Sequence, residues 1–162
     1  PYLRVANVHR WSIDLTEVKD VGINSSDKKF ELANGDVLVV EGHANPTEIG
    51  RAALWNDGLP MLHQNHLLRV RSGNSLNPKF ALLCLNSRHG QEYFRSYAKS
   101  SSGLNTINSE VLRGFPIPAS AITEQERTVA HWQKAAHRLD QAQTRLAILG
   151  KITNTVFGEL GP

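Results

Sequence analysis

The stretch Gly35 to Arg71, GDVLVVEGHANPTEIGRAALWNDGLPMLHQNHLLRVR, has the clearest strand patterning in the chain. A turn dipeptide opens it, and the β-branched and apolar run at residues 37–40 is typical of a buried strand. Glycines and an Asn-Pro pair then break the chain into a loop. A second strand signal follows at residues 67–71, where an apolar residue separates Arg69 from Arg71. Because strand side chains alternate, both arginines are expected on one face.

These two arginines have two interpretations. A strand that offers arginines on one face and apolar residues to a core is suited to holding an anionic ligand. The alternative is a solvated edge strand whose basic residues discourage pairing with another sheet. The stretch by itself favours neither interpretation.

The composition indicates one ordinary globular domain, or such a domain with an appended element. The chain has 162 residues, of which 40% are hydrophobic and 20% charged, and its formal net charge is +3. Lys and Arg exceed Asp and Glu by eight to three over residues 51–113, whereas the acids prevail by eight to five over residues 1–50. The basic excess in the middle of the chain favours a polyanionic partner.

Two absences restrict the class of protein. Cys84 is the only cysteine, so we expect no disulfide framework and no cysteine-based metal site, and its apolar neighbours predict a buried thiol. No stretch reaches the roughly 18 apolar residues of a membrane span, and no secretory signal pattern opens the chain. We therefore expect a cytoplasmic protein.

Short elements are predicted around the opening stretch. Residues 2–8 predict a strand, and residues 49–55 favour a strand over a helical turn. Residues 79–86 are apolar enough for a buried element, and residues 91–97 fit a short amphipathic helix. Residues 99–108 predict a polar loop, which is either a plain surface loop or one whose small side chains approach phosphates and base edges closely.

The segments after this loop predict a change of structure. Val111-Leu112 and the Phe115–Pro118 segment predict an extended connection, because each proline disfavours helix in the residue before it. A capping box at Thr123 and Glu126 then predicts the start of a helix that runs to about Phe157. Roughly 30 residues at 1.5 Å each give a helix of about 45 Å.

Apolar and small residues spaced by three and four form a heptad seam along this predicted helix. The seam residues are Trp132, Ala135, Leu139, Ala142, Leu146, Leu149 and Val156. The helix is too long to bury its whole stripe against the preceding domain. We therefore expect it to pack partly on a second long helix, from another copy or from a missing part of the same polypeptide. The alternative is a plain core helix.

The sequence has no convincing catalytic or metal-binding motif. Asn77-Pro78-Lys79-Phe80 is a poor match to the Asn-Pro-Pro-aromatic signature of amino-methyltransferases, and no glycine-rich cofactor loop precedes it. Asp14 lies too close to Glu17-Val18-Lys19 for a nuclease pattern. The run His63–His66 lacks further ligands at metal-binding spacing. A better interpretation is that Gln64 and Asn65 end a loop and satisfy backbone groups.

Several motifs, in one order, give the chain a resemblance to a known family. They are PYLRVANV at residues 1–8, Leu32 with GDVL at 35–38, Ile49-Gly50-Arg51, HQNHLLRVR at 63–71, and Ile107-Asn108 with Leu112 and PIP at 116–118 before the long helix. Together they resemble one target recognition domain and one conserved-region helix of a type I restriction-modification specificity subunit. The resemblance covers nearly the whole chain, although each motif alone is weak.

The resemblance implies a fold and a function. The fold would be α/β, with a twisted mixed β-sheet recognition domain and short helices at residues 1–120, then a long coiled-coil-type helix at residues 121–162. Members of the family are not catalytic; they read half of a bipartite double-stranded DNA target and recruit modification (methyltransferase) and restriction subunits. S-adenosylmethionine, ATP and Mg are expected in those partner subunits, and no cofactor in this chain.

The chain departs from the family pattern, because a full-length specificity subunit carries two recognition domains and two long helices. Both a half-subunit that forms a homodimer through its helix and a fragment of a two-domain subunit fit this departure. Two alternative functions remain: an assembly subunit whose long helix carries the function, and the recognition domain of a fused type II restriction-methylation enzyme.

Candidate site residues follow from residue type and from the basic middle of the chain. The DNA-binding candidates are Arg51, Arg69, Arg71, Arg88, His89, Arg95, Lys99, Ser102 and Asn105. The candidates for the helix-partner interface are Trp132, Ala135, Leu139, Ala142, Leu146 and Leu149. Gln64 and Asn65 rank lower, because motif residues shared by a family with varied targets are expected to hold the fold.

Overall fold

The computed structural model describes residues 1–158, with side chains as far as Thr153. The chain divides into two compact units, the first from Pro1 to Gln125 and the second from Glu126 onward. The predicted α/β class with a long C-terminal helix is confirmed. The side chain of Val156, in the predicted seam, and residues 159–162 of the predicted helical segment lie outside the described part.

The strands of residues 1–125 are short and form three small sheets rather than one. Strand β1 (Tyr2–Leu3) pairs in parallel with β5 (Leu62–His63). The second sheet holds β2 (Val37–Val40) between β4 (Ala52–Leu54) and β6 (Leu67–Val70), antiparallel to both. The third holds β8 (Leu104–Thr106) between β3 (Gly42–His43) and β7 (Lys99–Ser101), also antiparallel.

Helices follow the second sheet along the chain, and the last of them is described as far as Gly158. They are α1 (Pro78–Asn86), α2 (Arg88–Tyr97), α3 (Ser109–Arg113) and α4 (Ile122–Gly158). The Asn77 side chain accepts hydrogen bonds from the first-turn amides of α1, and the Ser87 side chain accepts one from Gly90 in α2. None of these helices, over residues 1–158, is long and apolar enough to cross a membrane.

Strand β2 is the centre of the first unit. All four of its residues are completely buried, as the apolar run predicts. Leu38 and Val40 pack in a cluster that contains Trp55, whereas the other two residues pack in a cluster that contains Phe94. Because side chains alternate along a strand, β2 supplies one face to each cluster.

The prediction of a strand over residues 2–8 is wrong beyond Leu3, because a buried asparagine turns the chain. Val5–Asn7 form a short 3-10 helix. The Asn7 Oδ1 accepts a 2.9 Å hydrogen bond from the Arg4 amide, and its Nδ2 donates to the carbonyls of Asp14 and Glu17. A side chain that binds backbone groups in this way competes with strand pairing.

The predicted polar loop at residues 99–108 is instead a β-hairpin. Ser102 and Gly103 connect β7 to β8, with φ angles of 49° and 79°. Positive φ at both positions of a two-residue connection is characteristic of a tight hairpin turn. Pairing of β8 with β3 holds the hairpin on the domain, and this pairing uses backbone groups that apolar periodicity does not report.

Two predictions near the second unit also need correction. Val111 and Leu112 belong to helix α3 rather than to an extended connection, because the Asn108 side chain accepts a hydrogen bond from the Val111 amide and starts a helical turn. Helix α4 begins at Ile122, so Thr123 lies inside the helix and is not its N-cap residue.

Candidate nucleic-acid interface

Arg51 lies inside the first unit rather than on a DNA-facing surface. Only 8% of it is exposed. Its Nε donates to the Val8 carbonyl at 2.7 Å, and its Nη2 donates to the Val5 carbonyl at 3.1 Å. Its Nη1 binds the Glu48 carboxylate at 2.9 Å, and this bond holds the pKa of Glu48 below its usual value. The guanidinium therefore ties the N-terminal segment to β4.

Arg69 in β6 and Arg71, the residue after it, lie on one side as predicted, since both contact the Glu31 carbonyl, but their observed partners belong to this chain. The Arg69 Nη1 donates to the Glu31 carbonyl at 2.6 Å, and the Arg71 Nη2 donates to the same carbonyl at 3.2 Å. Arg71 also forms a bidentate pair with Asp36, at 2.7 Å and 2.6 Å. The anion on this face is thus an aspartate at the start of β2.

Asp36 stays ionised although it is buried. Burial raises the pKa of its carboxyl, but hydrogen bonds from Arg71 and from the Ala33 amide outweigh burial and hold the pKa below its usual value. The carboxylate therefore locks the turn before β2 to β6. This lock gives Arg71 a structural role.

A basic stripe on the exposed side of α2 and β7 remains available. We define it by Arg88, Glu92 and Arg95, which are spaced by three and four residues in α2, and by Lys99 at the start of β7; all four are exposed. The Arg88 Nε binds the Glu92 carboxylate at 2.8 Å. In the part of the chain with described side chains, neither Arg95 nor Lys99 has an ion pair or a side-chain hydrogen bond. These two cations can therefore meet an external anion.

The remaining predicted DNA-binding residues lie on or beside the same region. His89 is exposed at the start of α2, with its ring 5.9 Å from that of Phe115. Ser102 occupies the tip of the β7–β8 hairpin. Asn105 points back to the domain, because its Nδ2 donates to the Ala44 carbonyl at 3.0 Å. Asn105 thus fixes the hairpin.

The two histidines of residues 63–66 have separate environments. His63 is buried, its Nδ1 lies 3.0 Å from the Gln64 carbonyl, and burial lowers its pKa. The His66 Nδ1 lies 2.9 Å from a Glu41 carboxylate oxygen. Among the described residues, no group of three or more His, Cys, Asp or Glu side chains could hold a metal ion.

Gln64 and Asn65 end the loop between β5 and β6, but their side chains do not satisfy backbone groups as expected. The amide and carbonyl of Gln64 bind Leu3 and Leu67 through the backbone. Neither the Gln64 nor the Asn65 side-chain amide has a hydrogen bond to any described residue. The sequence did not indicate that these two side-chain amides lack partners within the described residues.

The predicted seam of α4 is exposed within the second unit. Its large residues have high exposed fractions: Trp132 40%, Leu139 60%, Leu146 68% and Leu149 58%. Ala135 and Ala142 are exposed as well. The helix therefore presents an apolar stripe of the kind that a partner helix covers.

Comparison with known proteins agrees with the resemblance of the motifs. The chain is 26% identical, over 142 residues, to the type I restriction enzyme StySPI specificity subunit of Salmonella potsdam. This match covers 84% of the chain and 31% of the relative. No protein-family model matches the chain. The resemblance to a type I specificity subunit is confirmed, for a chain that spans about a third of the relative's length.

A solved structure shares the fold. It comes from work on the complex assembly and conformational transition of the type I R-M system, and it superimposes with a TM-score of 0.53 at 22% sequence identity. The superposition covers 99% of this chain and 35% of the solved chain. At this identity the likeness establishes the fold alone.

Proposed function

We propose that this chain is the DNA target recognition domain, with one conserved helix, of a type I restriction-modification specificity subunit. It reads half of a bipartite double-stranded DNA target and has no catalytic activity of its own. The observation that carries this proposal is the similarity to a specificity subunit over 84% of the chain. Similarity over that share includes the recognition unit and not only a common helix.

The basic stripe supports the proposal electrostatically. Lys and Arg side chains that neutralise DNA phosphates release counterions condensed on the DNA, and such contacts position a protein on the duplex without reading its sequence. Arg95 and Lys99 meet this requirement because they are exposed and have no salt bridge or side-chain hydrogen bond in the described region. Arg51 and Arg71 do not, because their guanidinium groups bind the domain itself.

The proposed partners follow from the same class of protein. Modification subunits, with S-adenosylmethionine, and a restriction subunit, with ATP and Mg, would supply the chemistry that this chain lacks. The exposed seam of α4 would pair with a second long helix, either of another copy in a homodimer or of the same longer polypeptide.

Salt-dependent DNA binding tests the proposal. We expect the chain to prefer one short duplex sequence, selected from a randomised library, over random duplexes when binding is followed by fluorescence anisotropy at several salt concentrations. Arg95→Ala and Lys99→Ala should each reduce the slope of log affinity against log salt by about one, without changing the preferred sequence. Lys28→Ala, an exposed cation away from the stripe, is the control. Absence of any sequence preference would refute the recognition function.

The exposed seam favours a second candidate function, in which the chain is an assembly subunit and the helix carries the activity. This candidate predicts that the chain binds a partner helix but binds all DNA sequences equally. The same binding experiment therefore separates the two candidates.

A further inference from the structure

A groove of about 490 Å³ lies beside the β7–β8 hairpin. Four segments that are distant in sequence line it: the 3-10 turn at Val5, residues 41–42, the 64–66 turn and strand β8. The lining residues are Val5, Glu41, Gly42, Gln64, His66, Leu104 and Thr106. All of them belong to the first unit, and none is a buried member of either apolar cluster.

Backbone hydrogen bonds fix the two walls of this groove relative to each other. The Glu41 amide donates to the His66 carbonyl at 3.2 Å, and the Glu41 carbonyl accepts from the Ile107 amide at 2.9 Å. Residue 41 therefore bridges the 64–66 turn on one side and the base of the hairpin on the other. A site built in this way is preorganised, so binding does not require the walls to be ordered first.

Gly42 seats the hairpin closely on β3. A Cβ atom added at this glycine would lie 2.8 Å from the Thr106 Cγ2 and 3.4 Å from the Asn105 carbonyl oxygen. The absence of a side chain at residue 42 is thus what allows β8 to approach β3 along the groove floor.

The hairpin has the shape and exposure of an element that enters a DNA groove. The residues of β7, both turn residues and Leu104 are exposed. The major groove of B-DNA is about 12 Å wide and admits a two-stranded β-ribbon. Small serine and glycine side chains at the tip add little bulk, and the hairpin begins at Lys99 of the basic stripe. Phosphate contacts by the stripe would therefore bring the groove beside base edges.

The Gln64 amide is an open polar group in the groove. The Glu41 carboxylate is already bound by His66 at 2.9 Å, whereas the Gln64 side chain has no hydrogen bond to any residue in the described part. A glutamine or asparagine amide pairs in a bidentate manner with N6 and N7 of adenine. On the opposite wall, Leu104 is 45% exposed and offers an apolar contact of the kind that thymine methyl groups make.

We infer that this groove reads an A·T base pair in the major groove, with Gln64 recognising adenine and Leu104 contacting a thymine methyl group. The inference rests on the proposed function and assigns base reading to residues that its phosphate-binding stripe does not include. Asn65, exposed next to Gln64 without a side-chain hydrogen bond in the described region, lies at the rim of the same site.

Base analogues test the two contacts separately. The preferred duplex of the wild-type chain is first selected from a randomised library, and each A·T pair in it is then replaced in turn. At one position, 7-deazaadenine, which lacks N7, should weaken binding of the wild type about tenfold and of Gln64→Ala much less. Uracil in place of a thymine should weaken the wild type by a few-fold and leave Leu104→Ala unchanged.

Two control variants, a folding check and two distinct negative outcomes complete this test. Asn74→Ala and Leu59→Ala remove an exposed amide and an exposed leucine outside the groove, and should respond to both analogues as the wild type does. Thermal melting checks that each variant folds. If Gln64→Ala and Leu104→Ala keep the wild-type response to every analogue, the groove is not the reader. If the wild type selects no sequence, the proposed function fails first and this inference fails with it.

Discussion

Strand β2 and the seam of α4 are both regular apolar segments, but they lie in opposite environments. All four residues of β2 are completely buried, whereas the large seam residues are between 40% and 68% exposed. The same hydrophobic driving force acts on both, since it depends on apolar area removed from water and not on what covers it. The difference shows that residues of the first unit bury β2, whereas the seam of α4 stays exposed and can pack against a second helix.

Truncation of a buried core side chain should lower the free energy of unfolding the most. Phe94 is completely buried beside Phe115, with ring centroids 5.3 Å apart. We expect Phe94→Ala to lower the free energy of unfolding by about 3–5 kcal/mol, because it leaves a cavity. Leu146→Ala should cost about 0.5 kcal/mol or less at concentrations where the chain is a monomer. Urea unfolding compares the two; equal costs would show that the seam is already covered within one chain.

Charges on the seam should have the next largest effect, on association rather than on folding. We expect Leu139→Glu combined with Leu146→Glu to abolish pairing through the helix, because carboxylates cannot be buried without partners. Sedimentation or light scattering reports the mass in solution. The control combines Gln133→Glu with Thr144→Glu, which adds the same charge to exposed positions off the seam. A mass that falls equally in both variants would exclude the seam as the interface.

The Asp36–Arg71 pair should have the smallest effect and a characteristic pH dependence. Because the folded-state pKa of Asp36 is lowered, its stabilisation is present above the unfolded pKa, near 3.9, and is lost as pH falls through the folded value. We expect Asp36→Asn to cost about 1–2 kcal/mol at neutral pH, since Arg71 is half exposed. The gap to the wild type in urea midpoints should close in acid. A constant gap would contradict the role of the charge.

The arginines show which features of the candidate site can be predicted from the sequence. The period-two spacing correctly predicted that Arg69 and Arg71 project to the same side, but it did not predict that Glu31 and Asp36 accept their hydrogen bonds. Those acceptors lie more than thirty residues away along the chain. Local periodicity reports the direction of a side chain and carries no information about a distant partner.

The sequence also did not indicate which polar side chains would have hydrogen-bond partners in the fold. The polar type of residues 99–108 predicted a loop, either a plain surface loop or one that approaches a ligand, yet pairing with β3 makes the segment a hairpin and commits Asn105 to the Ala44 carbonyl. Gln64 was expected to serve the backbone, and the fold leaves its amide unpaired within the described residues. Whether a side-chain amide has a hydrogen-bond partner depends on neighbours that only the folded chain brings together.

The sequence by itself determined the α/β class, the buried run of β2, the short helix at α2, the long C-terminal helix and the resemblance to a specificity subunit. Each of these depends on local periodicity or on the order of motifs along the chain. Only the tertiary structure decided that Arg51 and Arg71 hold the domain together and that four separate segments form one groove. It also decided that Arg95 and Lys99 are exposed without a salt bridge or side-chain hydrogen bond among the described residues. The physical reason is that hydrogen-bond partners and exposure are set by long-range packing, which no local pattern records.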